Sequence, residues 1–292
     1  MFNELWQKRI RLIEDEILLE LHRTNSIDQT LIDAMEYSLL SGGKRIRPIL
    51  LMAAADAING SGNKFVTTAS AIEMIHTYSI IHDDLPAMDN DDYRRGKLTN
   101  HKVYGEAMAI LAGDALLTLA FEVMLRQRGV SHASILFVVG EISQAIGAAG
   151  MVGGQAIDLL CEGKQVDLAT LRKMHIGKTG ALFRAAIKSG AILAGATGEQ
   201  LNALGKYADC FGLVFQITDD ILDVVGDEKT VGKPIGSDVR NHKSTYVTLT
   251  SLEEAKKLAF EAKEEAIAAL ETFGSEADFL RKLVEFLLVR KM

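Results

Sequence analysis

Residues 211–223 read FGLVFQITDDILD, an apolar run that ends in three aspartates within five positions. At about 100° per residue, a helix through this segment places Asp219 and Asp223 about 40° apart, with Asp220 about 60° from Asp223 on the other side. Three carboxylates would then share one edge of the helix beside its apolar surface. Because carboxylates are costly to bring next to a hydrophobic surface unless something pairs with them, the segment predicts a helix with a cation-binding end.

A second acidic cluster, DDLPAMD at 83–89, follows another apolar run at 72–81. Pro86 should end or bend the helix, so we expect Asp83 and Asp84 in its last turn and Asp89 in a loop that returns towards them. Mg²⁺ binds through one or two carboxylates, while substrate phosphates and waters complete its shell. The two clusters therefore predict one cavity in which metal ions bridge two acidic walls to a phosphorylated ligand.

For either cluster taken alone, an ordinary solvated helix end or loop is the alternative. A calcium loop of the EF-hand kind starting at Asp89 is excluded by its spacing. Tyr93 and Arg94 would occupy the positions that need an oxygen ligand and a glycine.

Composition limits the function classes. The 292-residue chain is 48% hydrophobic and carries a formal net charge of −7, which argues against a nucleic-acid surface. Cys161 and Cys210 fit neither a disulfide framework nor a zinc spacing and suit buried thiols in a reducing compartment. The longest uncharged stretch, 142–157, is 16 residues, shorter than a membrane-spanning helix, and residues 1–11 lack the apolar region of a signal peptide. We expect a soluble, cytoplasmic protein.

Helical periodicity dominates the chain. In Leu5 to His22 the apolar residues recur at threes and fours, and a capping box at 26–29 opens a helix that should end at Gly42-Gly43. Further helices are predicted from Pro48 to about Asn59 and over about 66–84, 104–127, 132–150, 153–161, 168–189, 199–226, 252–272 and 276–290. Residues 245–250 are a weak strand candidate. The prediction is one all-α domain over 1–292, a large bundle of ten or more helices.

Basic residues lie close to the acidic clusters in sequence or beside a glycine turn. GGKRIRP at 42–48 places three cations in four positions, and RRGK at 94–97 directly follows the first acidic cluster. The arginine fork holds phosphate oxygens in bidentate fashion, and lysine adds a point charge. A solvated basic turn is the alternative, but in a chain of negative net charge this pattern favours an anion site.

Taken in order, GGKRIRP, DDLPAMD with RRG, GKTG at 177–180, FQITDDILD and GKPIGSD at 232–238 resemble the motifs of trans-isoprenyl diphosphate synthases. The nearest match is the bacterial farnesyl diphosphate synthases (geranyltranstransferases), and the resemblance covers nearly the whole chain. It implies a single all-α polyprenyl synthase domain of the isoprenoid synthase type, with its helices around a central cavity, usually as a homodimer.

The activity implied by this resemblance is a Mg²⁺-dependent, head-to-tail prenyl transfer. Isopentenyl diphosphate would condense with dimethylallyl or geranyl diphosphate to give farnesyl diphosphate and pyrophosphate. Geranyl or geranylgeranyl diphosphate as the main product is the alternative.

Three other functional classes are alternatives to a prenyl transferase. A class I terpene cyclase would normally replace the second aspartate cluster and lack the KRIRP turn. A noncatalytic partner subunit should have degraded aspartates, and a helical Mg²⁺-binding scaffold leaves the basic motifs unexplained.

The resemblance also assigns residues. Mg²⁺, three ions per active site that bridge both aspartate motifs and the allylic diphosphate, would be held by Asp83, Asp84, Asp89, Asp219, Asp220 and Asp223. Isopentenyl diphosphate would bind to Lys44, Arg47, His76 and Arg95, although a lone histidine on an apolar helix is more often a core residue. The allylic diphosphate would bind to Arg94, Lys178, Thr179, Gln216, Lys233 and Lys243, with Lys178, Thr179 and Gln216 as the catalytic candidates. Gln155 and Asp158, in a GQxxD pattern, would support them.

One motif departs from the family pattern. Arg240 and His242 stand where acidic or small residues are common, while Lys243 and Thr245 remain in place. We expect a tuned rather than a lost site.

Two residues before the first cluster are candidates for setting product length. Tyr78 lies five residues before Asp83, about 7.5 Å of helical rise, which is the right scale for a floor under a growing C15 chain. On the helical wheel, however, Tyr78 is about 140° from Asp83, whereas the small Ser79 is about 40° away. A packed core aromatic is therefore the alternative for Tyr78.

Overall fold

The computed structural model describes residues 2–225 and 243–289. By its internal contacts the chain divides into two compact units, each described here by itself. Unit 1 comprises Met1–Met52 and Gly62–Ile135, and unit 2 comprises Ala53–Ser61 and Leu136–Met292. The expectation of one domain over the whole chain stays a prediction.

Unit 1 is built around a helix that is buried on all sides. This helix, α4, runs over Val66–Asp83 and packs against α1, α2 and α6. Every residue from Thr68 to Ile75 is buried, as expected for a helix that is apolar all round. The other elements of unit 1 are α1 Phe2–Arg23, α2 Gln29–Leu39, the first half of α3 Ile46–Asn59, a 3₁₀ turn Gly62–Phe65, β1 Tyr93–Arg94, β2 Lys97–Leu98, α5 Asn100–Tyr104 and α6 Glu106–Leu125.

Unit 2 is organised around a long helix, α11, which runs over Gly198–Val225 and packs against neighbours on several sides. Its buried face joins a cluster that includes Leu171, Ile217, Ile221 and Tyr246. The other elements are α7 His132–Ile146, whose first residues belong to unit 1, α8 Met151–Cys161, α9 Leu168–His175, a π-helical turn Ile176–Gly180, α10 Ala181–Leu193, α12 Tyr246–Leu249, α13 Leu252–Ala269, a 3₁₀ turn Ser275–Ala277 and α14 Asp278–Val289.

The all-α prediction is confirmed, with strands in the described residues limited to one small hairpin. Its strands pair Tyr93 with Leu98 and Arg94 with Lys97. The two residues between them, Arg95 and Gly96, have φ of 54° and 77°. Positive φ at both central positions is the requirement of a two-residue type I′ hairpin turn.

Three local predictions were wrong. Residues 245–250 are not a strand, because Thr245 forms a capping box with Thr248 and opens α12. The cap of α2 is Asp28, whose carboxylate accepts from Leu31 N, while the Ser26 hydroxyl only bonds Asp28.

The third concerns the helix predicted over about 168–189, which is helical throughout but is not one α-helix. The π-helical turn at 176–180 interrupts it and carries the GKTG motif. The two cysteines are free, as expected, but both are half-buried rather than buried.

In the part of the chain that the structure describes, two apolar stretches are long enough, by length and composition, to cross a membrane. They are Glu106–Leu125 and His132–Cys161, and each is partly buried inside the protein. Core helices of soluble proteins meet the same criterion, so the expectation of no membrane span stays a prediction.

The basic turn contains one cation with a structural position. Arg45 is buried and forms ion pairs with Glu73 at 2.8 Å and Glu14 at 3.0 Å, and it donates to Leu39 O at 2.6 Å. The Arg45 and Glu73 side chains are 0% and 2% exposed. Arg45 therefore anchors the turn instead of facing an anion, and Lys44 and Arg47 remain the candidates for substrate binding.

Breaking this pair should be strongly destabilising. Arg45→Met leaves the Glu73 carboxylate buried without its main partner, so we expect the free energy of unfolding to fall by about 3–5 kcal/mol. The double variant Arg45→Met/Glu73→Met should recover much of the loss. The control is Lys256→Met, which breaks an exposed pair with Glu253 and should cost less than about 1 kcal/mol. Denaturant midpoints measure all three, and a single Arg45→Met variant as stable as the control would contradict the assignment.

Candidate active site

The first acidic cluster lies at the carboxyl end of α4. Asp83 is the last helical residue, Asp84 caps the helix and is 3% exposed, and Asp89 is exposed. The backbone N–H of Asp89 donates to the carbonyl oxygen of Asp83 at 2.8 Å. The predicted loop that returns after Pro86 is therefore confirmed.

Arg94 on the hairpin pairs with this cluster. Its guanidinium lies 2.5 Å from the carboxylate of Asp84 and 2.9 Å from that of Asp91. Burial raises the pKa of the Asp84 carboxyl, although the hydrogen bond from Arg94 opposes that shift. Asp91 was not among the predicted residues. Its spacing of three residues from Arg94 on a turn is the signal that could have found it.

The tip of the same hairpin meets the glycine-rich basic turn. Arg95 donates a hydrogen bond to the carbonyl oxygen of Gly42. A Cβ atom added to Gly43, whose φ is 130°, would lie 2.7 Å from the guanidinium carbon of Arg95. Gly43 thus provides both an unusual backbone conformation and the space for Arg95. Two motifs that are 50 residues apart in sequence are joined by this contact.

Two of the predicted isopentenyl diphosphate ligands are neighbours. Arg47 Nη1 lies 3.1 Å from His76 Nε2. Burial and the nearby charge of Arg47 hold the pKa of His76 well below its ordinary value. His76 is therefore neutral and accepts a hydrogen bond from Arg47. Lys44 has an exposed side chain, and its carbonyl oxygen accepts from Trp6 Nε1 at 2.9 Å.

Tyr78, the proposed chain-length residue, is buried on α4. It is 6% exposed, and its ring contacts His82 edge-on with ring centroids 5.8 Å apart. The His82 ring in turn occupies the space that a Cβ atom at Gly113 would fill. Burial raises the pKa of Tyr78 to about 12, and the charge of Asp83 makes a smaller contribution in the same direction. Ser79 is half-buried and donates to His76 O at 2.9 Å.

In unit 2, Lys178 and Thr179 lie on the π-helical turn at 176–180. The ammonium of Lys178 lies 2.5 Å from the Asp158 carboxylate on α8, and Thr179 is half-buried. Single π turns inside helices are often found at functional sites. Asp158, predicted as a supporting residue, is thus a direct partner of Lys178.

The carboxylates of α11 do not share one environment. Asp219 and Asp223 are half-buried, but Asp220 is 7% exposed and accepts from the backbone N–H of Tyr246 at 2.7 Å. The predicted common edge is therefore divided. Asp220 is placed inward because the first residue of α12 offers it an N–H group that has no partner within that helix.

Two residues near this site were missed from the sequence. The rings of His175 and Tyr246 are 5.6 Å apart, and both belong to the surroundings of Lys178 and Asp220. Burial lowers the pKa of His175 to about 4, against the opposing charge of Asp158. No sequence pattern signals this pair, because the two residues are far apart along the chain.

Three further residues are predicted to bind the allylic diphosphate, namely Gln216, Lys243 and Lys233. Gln216 is half-buried on α11, and Lys243 is half-buried just before α12. Lys233 lies outside the described residues, as do Arg240 and His242.

The predicted metal ligands fit Mg²⁺ by their chemistry. All are carboxylates, the donors that hard divalent cations prefer. Within residues 2–225 and 243–289, no three acidic, histidine or cysteine side chains are grouped to hold a metal by themselves.

Comparison with known proteins decides the family. The family model described as polyprenyl synthetase matches residues 28–285. The chain belongs to this family. The resemblance inferred from its motifs is therefore confirmed, and with it the prediction of a prenyltransferase at the level of the family.

Individual relatives match this polyprenyl synthetase family member over nearly its full length. The chain is 48% identical to a farnesyl diphosphate synthase of Micrococcus luteus, covering 96% of this chain and 95% of the relative. It is 46% identical to a geranylgeranyl diphosphate synthase of Cyanophora paradoxa, covering 97% and 94%. The crystal structure of an FPP/GFPP synthase from Zymomonas mobilis superimposes with a TM-score of 0.89 at 38% identity, covering 98% of each chain.

Proposed function

We propose that the protein condenses isopentenyl diphosphate with dimethylallyl and geranyl diphosphate, giving farnesyl diphosphate and pyrophosphate. The observation that carries the proposal is the RRG hairpin of unit 1. Arg94 pairs with Asp84 of the acidic cluster, and Arg95 contacts the turn that precedes Lys44 and Arg47. Cations and carboxylates thus lie side by side, as the binding of diphosphates requires.

The proposed chemistry begins with ionisation of the allylic substrate. The bond between the allylic carbon and the diphosphate oxygen breaks, and the electron pair leaves with pyrophosphate. Lys178 would bind the departing group, and the ion pair that holds its ammonium against Asp158 on a neighbouring helix supports this role. Fixed charges aimed at developing negative charge stabilise such a transition state without moving a proton.

The second step uses isopentenyl diphosphate. Its double bond attacks the allylic cation, a carbon–carbon bond forms, and a proton is lost, which released pyrophosphate can accept. Arg47 and the neutral His76 would hold this substrate's diphosphate with Lys44 and Arg95. An apolar surround excludes water, which would otherwise quench the cation.

Mg²⁺ is the proposed cofactor, three ions per active site, held by Asp83, Asp84, Asp89, Asp219, Asp220 and Asp223. When bound, it would neutralise the charge of the departing pyrophosphate as a Lewis acid. One oxygen of Asp84 accepts a hydrogen bond from Arg94, and one oxygen of Asp220 accepts the backbone N–H of Tyr246, so protein donors already hold both carboxylates in place.

The experiment that tests the function is direct. The purified protein is incubated with dimethylallyl diphosphate, isopentenyl diphosphate and Mg²⁺, and the products are separated by chromatography. We expect pyrophosphate and a C15 diphosphate. In a second incubation, pyrophosphate release from geranyl or farnesyl diphosphate alone, with a cyclic hydrocarbon as product, would indicate a terpene cyclase instead.

A C20 main product is the second candidate, since relatives named for farnesyl and for geranylgeranyl diphosphate are similar to this chain to the same degree. We favour C15 because of the buried aromatic ring of Tyr78, which lies five residues before Asp83. A cytoplasmic homodimer without a membrane span or a nucleic-acid partner is part of the same proposal.

Tyr78→Ala should lengthen the product. Removing the ring opens space beside His82, so the growing chain can pass the position where it stopped. We expect the main product to shift from C15 to C20 or longer, measured by chromatography of the dephosphorylated alcohols. Tyr78→Phe, which keeps the ring, is the control and should still give C15. A folded Tyr78→Ala variant with an unchanged C15 product would place the length determinant elsewhere.

A further inference from the structure

The closest backbone contact around the π-helical turn involves a glycine of α8. A Cβ atom added to Gly154 would lie 2.0 Å from the backbone nitrogen of Lys178 and 2.7 Å from its Cα. No side chain fits at such distances, so α8 and the turn that carries Lys178 touch backbone to backbone.

The contact is reciprocal. A Cβ atom added to Gly177, the residue before Lys178, would lie 3.0 Å from Gly154 Cα and 3.1 Å from Gly150 O. Two glycines from different elements therefore face each other. A side chain at either one would press against the backbone at the other.

The same helix also holds the end of the lysine side chain. Asp158 follows Gly154 by four residues, so both lie on one face of α8. The Asp158 carboxylate binds the Lys178 ammonium at 2.5 Å, while Gly154 contacts the Lys178 backbone. Backbone and ammonium of one lysine are thus fixed by a single rigid element.

From these contacts we infer that Gly154 and Gly177 are positioning residues, which set where the Lys178 ammonium meets the leaving diphosphate. The inference rests on the proposed function, in which Lys178 acts on the allylic substrate. Any side chain at either position pushes the turn away from α8 and moves the ammonium with it. A displacement of about 1 Å at a reacting centre can lower a rate on the order of a hundredfold.

The test is a set of alanine variants. Gly154→Ala introduces a severe overlap and Gly177→Ala a milder one. The control is Gly140→Ala, a helical glycine of α7 in the same unit, where an added Cβ meets nothing within 4 Å. We expect kcat to fall in the order Gly140→Ala, Gly177→Ala, Gly154→Ala, with Gly140→Ala at the wild-type value. The KM for isopentenyl diphosphate should stay unchanged throughout.

A double-mutant cycle separates positioning from a general structural effect. If Gly177 acts through Lys178, Gly177→Ala should lower kcat on the order of tenfold or more in the wild type and have almost no effect in the Lys178→Ala background. Equal effects in both backgrounds would overturn the inference, as would a folded Gly177→Ala variant with wild-type kcat. Loss of the folded state in both glycine variants, monitored by thermal melting, would also overturn it, since the contact would then serve the fold.

Failure of the proposed function has a different signature. A wild-type protein that transfers no prenyl group would overturn that function, whereas an active wild type with normal glycine variants would overturn only the positioning role.

Discussion

Chelation of divalent cations should abolish turnover while the protein stays helical. Asp83→Ala and Asp219→Ala should each lower kcat on the order of a thousandfold, about 4 kcal/mol of transition-state stabilisation. The reason is that the carboxylates are proposed to act only through bound Mg²⁺, so loss of either the cation or a ligand removes the same stabilisation of the leaving group. Steady-state kinetics with excess EDTA, and then with restored Mg²⁺, measure the effect, and circular dichroism checks the fold.

Matched controls exist for both carboxylates. Asp33→Ala removes an exposed carboxylate of unit 1 that accepts a hydrogen bond from the Gln29 side chain. Asp209→Ala removes an exposed aspartate of α11, ten residues before Asp219, that pairs with Arg184. Both should keep nearly full activity. Wild-type rates in excess chelator, or controls as inactive as Asp83→Ala, would rule out the metal-dependent mechanism.

The parts of the site that follow local rules could be predicted from the sequence. Proline cannot continue a helix, so the end of α4 at Asp83 and the return of Asp89 followed from Pro86 alone. The apolar run before each acidic cluster likewise predicted a buried helix. These features depend on a few adjacent residues, and local chemistry decides them.

Features that depend on distant partners could not be predicted. The helical wheel gives Asp219, Asp220 and Asp223 a common edge, whereas in the structure Asp220 is buried and accepts a hydrogen bond from the N–H of Tyr246. Arg45 reads as one of three equivalent cations in KRIR, yet Glu73 and Glu14 bury it. In both cases the partner is far away in sequence, and a pattern of neighbouring residues carries no information about it.

Short or irregular elements also escaped. Strands of two residues are too short to show an alternating pattern. In the Arg95-Gly96 pair, however, Gly96 is a residue that a type I′ turn favours at its second central position. The π turn at 176–180 lies between helices that together look like one amphipathic segment.

Lys178→Ala and Arg47→Ala should separate the two diphosphate sites. Lys178 is proposed to bind the departing group, so its loss should lower the ionisation rate on the order of a hundredfold or more, with little change in the KM for isopentenyl diphosphate. Arg47 donates towards the neutral His76 in unit 1 and is proposed to bind the metal-free substrate. Its loss should raise the KM for isopentenyl diphosphate about tenfold to a hundredfold, as expected for a charge-assisted hydrogen bond, and leave the allylic KM nearly unchanged.

The control for the lysine is Lys188→Ala, because Lys188 is also half-buried and pairs with a carboxylate, that of Glu141. It should keep the wild-type ionisation rate, measured by single-turnover release of pyrophosphate. Two results would contradict the assignment. One is an Arg47→Ala variant in which both KM values rise equally. The other is a Lys178→Ala variant that resembles Lys188→Ala, because an ammonium held against Asp158 would then contribute only to packing and not to the departure of pyrophosphate.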